Sequence, residues 1–253
     1  MLPRILATRY VAPLREGGSL PGLCEADDLG TYVVKFRGSG QGPKALVAEV
    51  IAGELARRLG LRVPELKAIE LDPAIARYEA DQEVQDLLTA SVGLNLAVDF
   101  LPGAFGYDGV RQVPEPAEAA RILWLDAFVA NVDRTWRHPN LLVWHGDVWC
   151  FDHGAALYYH HSWGTPDAAR FAAQPYDAAS HVMIDSAHAV PEADRELAPR
   201  VTEALVREVV ALVPDEWLGD LPDLEPEAAR AAHVEHLLAR IAPPRRWLPG
   251  APR

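Results

Sequence analysis

The 253-residue sequence predicts an α+β fold of two lobes, a β-rich N-terminal lobe and an α-rich C-terminal lobe with a cleft between them. Short β-branched and aromatic runs punctuated by turn residues fill the chain as far as Pro102-Gly103. Beyond that point apolar residues recur with a helical period over long segments, and an apolar content of 49% suffices for a real core.

Taken in order, Gly17-Gly18-Ser19-Leu20-Pro21 is a turn-rich loop, Thr31 to Phe36 a strand, and Gly38 to Gly42 a flexible link. From Lys44 to Leu59 the apolar positions 46, 47, 50, 51, 55 and 59 mark a helix that Gly60 ends. Pro64 to Leu71 and Leu94 to Leu101 read as further strands. The lobe boundary is placed after the second of these, giving lobes of residues 1–101 and 102–253. Helices are expected over Pro116 to Ala130, Glu192 to Leu212 and Glu225 to Ile241, with a frayed tail from Pro243 to Arg253.

The net charge of −12 is spread unevenly: residues 1–100 carry 11 Lys or Arg against 14 Asp or Glu, and residues 101–253 carry 13 against 22. No basic run exists that would displace counterions from a polyanion, so nucleic acid is not an expected partner. No apolar run is long enough to span a bilayer, and Met1 to Arg15 does not resemble a secretory signal. Cys24 and Cys150 have no metal-ligand spacing. The expectation is a cytoplasmic protein without membrane or nucleic-acid partners.

The densest chemistry lies between Asn131 and Gly154. Two strand-like runs flank Gly146 as a hairpin, and Asn140 and Asp152 each lie six residues from that glycine. Folding about it sets the two side chains opposite each other, about 5 Å apart at Cβ in a directly paired register. Asp133 sits just upstream, on the loop leading out of a helix. An amide oxygen facing a carboxylate suits a hard divalent cation such as Mg²⁺, and a further carboxylate suits proton abstraction. Together they make the phosphoryl-transfer constellation of kinases.

An independent second half lies upstream. The chain has 21 arginines and only three lysines, one of which, Lys35, stands inside the apolar strand Tyr-Val-Val-Lys-Phe. A compact ammonium there suits ATP phosphates better than an arginine fork does. Two helix-borne carboxylates are available to hold it. The helical wheel sets Glu54 inside the apolar stripe and Glu49 at its edge, and the wheel alone favours Glu54. Gly17, Gly18 and Ser19 precede the Lys35 strand by about one hairpin, where adjacent glycines let backbone N–H groups approach phosphates. The histidines at 160, 161, 181, 233 and 236 form no zinc-binding helix motif, and no nucleophile elbow surrounds a serine.

These segments resemble the HipA-like kinase family, itself distantly similar to phosphatidylinositol and protein kinases. The carriers are Gly-Gly-Ser-Leu-Pro, Tyr-Val-Val-Lys-Phe, the helix from Ala48 to Leu59 with the following Gly-Leu-Arg-Val-Pro-Glu, Asn-Val-Asp-Arg, and Phe-Asp-His-Gly, spanning residues 16 to 154. The resemblance implies a bilobal protein-kinase-like fold with ATP in the cleft. It implies Lys35 on the α and β phosphates, Glu49 rather than Glu54 as its partner, and Asp133 as the base. Asn140 and Asp152 would be the Mg²⁺ ligands and Gly17 to Ser19 the phosphate loop. Adenine would hang on backbone groups near Asp99, Phe100 and Leu101. One departure stands out: Asp133 to Asn140 is two residues longer than the family's spacing; a bulged loop would keep both groups on the metal, with His138 in the role of the usual histidine, and the alternatives are a subfamily with another acceptor or a dead site. The expected activity is transfer from Mg²⁺-ATP to a protein serine or threonine. A small-molecule acceptor and a nucleotide-binding pseudokinase are the alternatives.

Overall fold

Five strands of the N-terminal half close into a barrel. In the computed structural model, which describes residues 1–15, 19–77, 79–162, 168–219 and 225–249, these are β1 (Arg4–Pro13), β2 (Gly22–Ala26), β3 (Thr31–Lys35), β4 (Leu66–Leu71) and β5 (Gly93–Asp99). The order around the barrel is β1-β2-β3-β5-β4, and closure comes from a parallel pairing of β1 with β4 at Arg4↔Ala68. The sequence reading has no strand over β1 or β2. In β1 the register against β2 shifts twice, between Ala7 and Arg9 and between Tyr10 and Ala12, and such bulges erase the two-residue alternation that announces a strand.

Inward side chains of Ala7, Cys24, Tyr32, Val34, Ile69 and Ala97 fill the barrel. Its opening is covered by α2 (Pro73–Ala76) and α3 (Gln82–Ala90), which follow α1 (Gly42–Leu59). Asp81 caps α3 by accepting from the amides of Glu83 and Val84. Helix α1 carries Pro43 in its first turn and stops at Gly60, whose φ of +89° suits glycine. It is buried on nearly every side, and Leu46, Ile51, Leu55 and Leu59 belong to one large core shared with the C-terminal half.

That half is built on α4 (Pro116–Val129), buried continuously from Ile122 to Val129. A three-stranded sheet of β6 (Phe105–Gly106), β7 (Leu141–Trp144) and β8 (Asp147–Cys150) follows, then α5 (Ala168–Ala173), α6 (Val190–Leu197), α7 (Glu203–Val210) and α8 (Pro226–Ile241). The single helix expected over 192–212 is two. Pro199 breaks it in a short 3₁₀ turn, and Thr202 starts α7 by accepting from the Leu205 amide. Nor is the tail frayed as far as Pro249. Trp247 is fully buried, donates to the Arg240 carbonyl and packs on Trp124 and Phe128 of α4, while Arg245 grips Asp194. An aromatic side chain that buries on the order of 200 Å² anchors a terminal segment that polar composition alone would release.

Candidate functional site

The last residue of β3 is Lys35, and its ammonium donates to Glu49 on α1 and, at 2.7 Å, to Asp152 Oδ1 just past β8. Burial opposes the ammonium charge, but Glu49 and then Asp152 outweigh it and raise the lysine above its ordinary pKa. Burial likewise opposes the Glu49 carboxylate, and Lys35 with His153 holds it well below the usual range. The contact falls on Glu49 and not on Glu54, which instead accepts from Arg57 Nη1 at 2.7 Å. The helical wheel misleads here because α1 is buried all round, so no single stripe marks the side facing the other lobe. Gly154 has its own reason to be glycine: a Cβ there would stand 3.2 Å from Glu49 Oε1.

The β7–β8 hairpin corrects the expected register. Trp144 pairs with Asp147 through a two-residue turn in which His145 (φ +51°) and Gly146 (φ +85°) are both left-handed, so Leu141 faces Cys150. Continuing that register sets Asn140 opposite Phe151, whose amide donates to the Asn140 carbonyl, rather than opposite Asp152. The sequence reading centred the fold on Gly146 and missed by one residue, because the turn also takes His145 into the left-handed region, which few non-glycine residues enter even though histidine is enriched there. Asn140 (φ +48°) and Asp152 (φ +56°) are themselves left-handed, which takes both side chains out of strand alternation. The Asn140 amide donates to the Asp133 carbonyl at 3.2 Å and to Asp133 Oδ2 at 3.3 Å.

The two extra residues of the Asp133–Asn140 loop leave this contact intact. The Thr135 amide donates to the carbonyls of Asp133 and His138, and the His138 amide returns to the Thr135 hydroxyl at 3.3 Å. This closed turn pushes Trp136 and Arg137 outward and brings the chain back to Asn140. His138 Nδ1 lies 3.4 Å from Asp133 Oδ1.

Beneath the loop lies a group that the sequence reading omits. Asp126, fully buried on α4, accepts from Asn131 Nδ2 (2.8 Å) and Arg134 Nε (2.5 Å) and lies 3.0 Å from His181 Nε2. Burial disfavours its charge, but Arg134 and His181 hold the carboxyl far below the usual range. Arg134 in turn donates to the carbonyls of Asn140 and Phe151, the two residues facing each other at the open end of the hairpin. The Asn131 side chain accepts from the Asp133 amide at 3.2 Å. A sequence signal existed: an aspartate inside the buried run Ile-Leu-Trp-Leu-Asp-Ala-Phe-Val must find a cationic partner.

Gly17 and Gly18 lie outside the described residues. Ser19 is in the turn joining β1 to β2, a loop closed by the Leu14 amide donating to the Pro21 carbonyl. Asp99 and Phe100 use their amides within the barrel, on Glu65 and Thr31, and the Leu101 carbonyl accepts from the Ala104 amide. Trp144 Nε1 ties the hairpin to this segment through the Pro102 carbonyl at 3.0 Å. Among the described residues no three His, Cys, Asp or Glu side chains form a metal cage. The half-exposed carboxylate of Asp152 and the Asn140 amide oxygen are a donor set for a hard cation that takes its remaining ligands from phosphates and water, as Mg²⁺ does.

A family model described as HipA-like kinase matches residues 8–248. No curated protein matches the sequence. A Helicobacter pylori proinflammatory kinase, CtkA, superposes with a TM-score of 0.57 at 13% identity, over 93% of either chain. The Golgi casein kinase gives 0.46 at 12% identity over 95% of this chain and 74% of that one, and its Mn/ADP-bound structure 0.48, likenesses too weak to establish a shared fold. The first establishes that the fold is protein-kinase-like, strand-rich at the N-terminal end and helical at the C-terminal end.

Proposed function

The chain belongs to the HipA-like kinase family, and from that premise we propose that it transfers the γ-phosphoryl group of Mg²⁺-ATP to a serine or threonine hydroxyl of a protein. The observation that carries this reading is the ion-pair chain Glu49–Lys35–Asp152, which joins residues 117 positions apart at the mouth of the loop bearing Asp133 and Asn140. A structural salt bridge has no need of an exposed second carboxylate, yet Asp152 is 42% exposed while Glu49 is 3% exposed. The pair is built to be shared with something arriving from solvent.

In this reading ATP occupies the cleft between lobes divided near residues 101 and 102. Lys35, kept charged and aimed by Glu49, takes the α and β phosphates, Gly17, Gly18 and Ser19 are the residues proposed to offer them backbone N–H groups, and the segment from Asp99 to Leu101 lies beside the base. A divalent cation supplies charge neutralisation on the phosphates, and Asn140 Oδ1 and Asp152 are the residues that hold it. Asp133 orients the acceptor hydroxyl and takes its proton, and is itself oriented by Asn140 and by Asn131 through its backbone amide. The acceptor oxygen bonds to the γ-phosphorus as the bond to the β,γ-bridging oxygen breaks, and ADP leaves. A cytoplasmic setting accords with two unpaired, buried cysteines. Among the described residues no helix is long and apolar enough to cross a membrane.

Incubation of the purified protein with γ-labelled ATP and a cell lysate, with Mg²⁺ or with a chelator, tests this. Metal-dependent label on protein serine or threonine that Asp133→Asn abolishes supports the reading. Label on small molecules alone contradicts the acceptor class, and no transfer at all contradicts the activity.

A further inference from the structure

A cavity of about 310 Å³ opens beside the loop carrying Asp133, walled by Ala130 and Val132 of that loop, by Tyr158, Phe171 and Tyr176 of the segment after β8, and by His236 of α8. Its wall is tied to the loop, since the Tyr176 hydroxyl donates to the Asn131 carbonyl at 2.6 Å. The volume is at the low end for ligand sites, enough for one large side chain.

Three features define what fits. The surfaces are flat and aromatic, including a stack of Tyr159 on His236 with ring centroids 3.4 Å apart, and aromatic rings pack best on such faces. His236 is 7% exposed and its Nδ1 has no hydrogen-bond partner, leaving one buried polar atom in the wall. The lining's cation, Arg240, donates from each of its three nitrogens to backbone carbonyls, among them those of Phe128, Phe171 and Ala127, while Asp177 adds negative charge. An anionic occupant is therefore disfavoured. A neutral aromatic group with one hydrogen-bonding tip, a phenol or an indole, matches.

The surroundings favour a polypeptide over a free small molecule. Val132, next to Asp133, is 58% exposed, and Tyr158, which shares the cavity wall with it, is 36% exposed, an apolar strip along which a chain can lie. We propose that this cavity is an acceptor subsite, seating an aromatic side chain of a protein substrate close in sequence to the hydroxyl presented to Asp133. The inference rests on the phosphotransferase reading above and deepens it.

The test is a degenerate serine and threonine peptide library phosphorylated by the wild type, His236→Phe and Ser180→Trp, with Mg²⁺-ATP binding measured by calorimetry in parallel. Tyrosine, tryptophan or phenylalanine should be enriched at one fixed distance from the acceptor. Ser180→Trp, which narrows the cavity from an exposed position, should abolish that preference. His236→Phe keeps the ring stack and removes Nδ1, so the KM of the best peptide carrying tyrosine or tryptophan should rise about two- to tenfold, the worth of one hydrogen bond, with kcat little changed. Ser180→Trp carries the test whether or not the buried His236→Phe variant folds. ATP bound and turned over with no aromatic preference, or with one that survives Ser180→Trp, overturns the subsite alone. Failure of the wild type to bind Mg²⁺-ATP overturns the phosphotransferase reading and the subsite with it.

Discussion

The Lys35 ammonium lies 2.7 Å from Asp152 Oδ1 and shares its remaining reach with Glu49, so one side chain couples strand β3, helix α1 and the end of the β7–β8 hairpin. Because Asp152 is 42% exposed, its half of this linkage adds little to stability. Asp152→Asn should therefore fold with a melting temperature within about 4 °C of the wild type, and should lose metal-dependent turnover by on the order of 100-fold or more. Normal turnover in that variant sinks the metal-ligand role.

Glu49 and Glu54 separate by the same logic. Glu49→Gln leaves Lys35 with one carboxylate and should weaken ATP binding about as much as Lys35→Ala does, whereas Glu54→Gln breaks only a contact with Arg57 and should leave ATP affinity near the wild-type value. Calorimetric titration of ATP into the three variants decides it; the reverse order would return the role to Glu54.

The first half of this site was legible because its signals are local. Pro43 and Gly60 bracket α1, and a lone lysine in an apolar strand stands out in a chain that otherwise uses arginine. What stayed hidden depends on distance or on backbone choice. The partners of Asp126 lie 5, 8 and 55 residues away in sequence, and no spacing rule assembles them. The hairpin register turned on the left-handed φ of His145, a conformation that only a few per cent of non-glycine residues adopt, and β1 was masked by its own bulges.

Asp133 is held by its neighbours without being buried, so its loss should spare the fold. Asp133→Asn should lower kcat by about 10²- to 10⁴-fold with ATP affinity nearly unchanged, because the carboxylate acts on the acceptor. Steady-state kinetics beside calorimetry checks this. Loss of ATP affinity with turnover per bound nucleotide intact would show that Asp133 belongs to the nucleotide site.

Asp126→Ala should be among the most destabilising substitutions in the chain. It leaves the Arg134 guanidinium buried and without its carboxylate, a loss of about 3–5 kcal/mol, and frees the carbonyls of Asn140 and Phe151 from a fixed support. Denaturant unfolding should show that loss. An effect below about 1 kcal/mol would mean that the hub is not what fixes the loop.

The buried histidines of α8 predict acid sensitivity. Burial pushes His233 down to about 3, and burial followed by Arg240 and His233 does the same to His236. Between pH 6.5 and 3 the unfolded chain binds protons that the folded chain refuses, so stability is full above about pH 6.5 and falls as pH drops, by up to about 1.4 kcal/mol per pH unit for each histidine. His233→Asn, which keeps a hydrogen-bonding atom for Tyr159, should reduce that slope by about one proton in denaturant unfolding at stepped pH. An unchanged slope would place the acid sensitivity elsewhere.

The account stands on Lys35, Asn140 and Asp152 forming one site for a metal-bound nucleotide. Calorimetric titration of ATP into the wild type and Asp152→Asn, each with Mg²⁺ and with a chelator, tests it most directly. The predicted result is Mg²⁺-enhanced binding in the wild type, by on the order of tenfold or more, and an affinity indifferent to Mg²⁺ in Asp152→Asn. Equal Mg²⁺ enhancement in both proteins, or no ATP binding by the wild type, would contradict it.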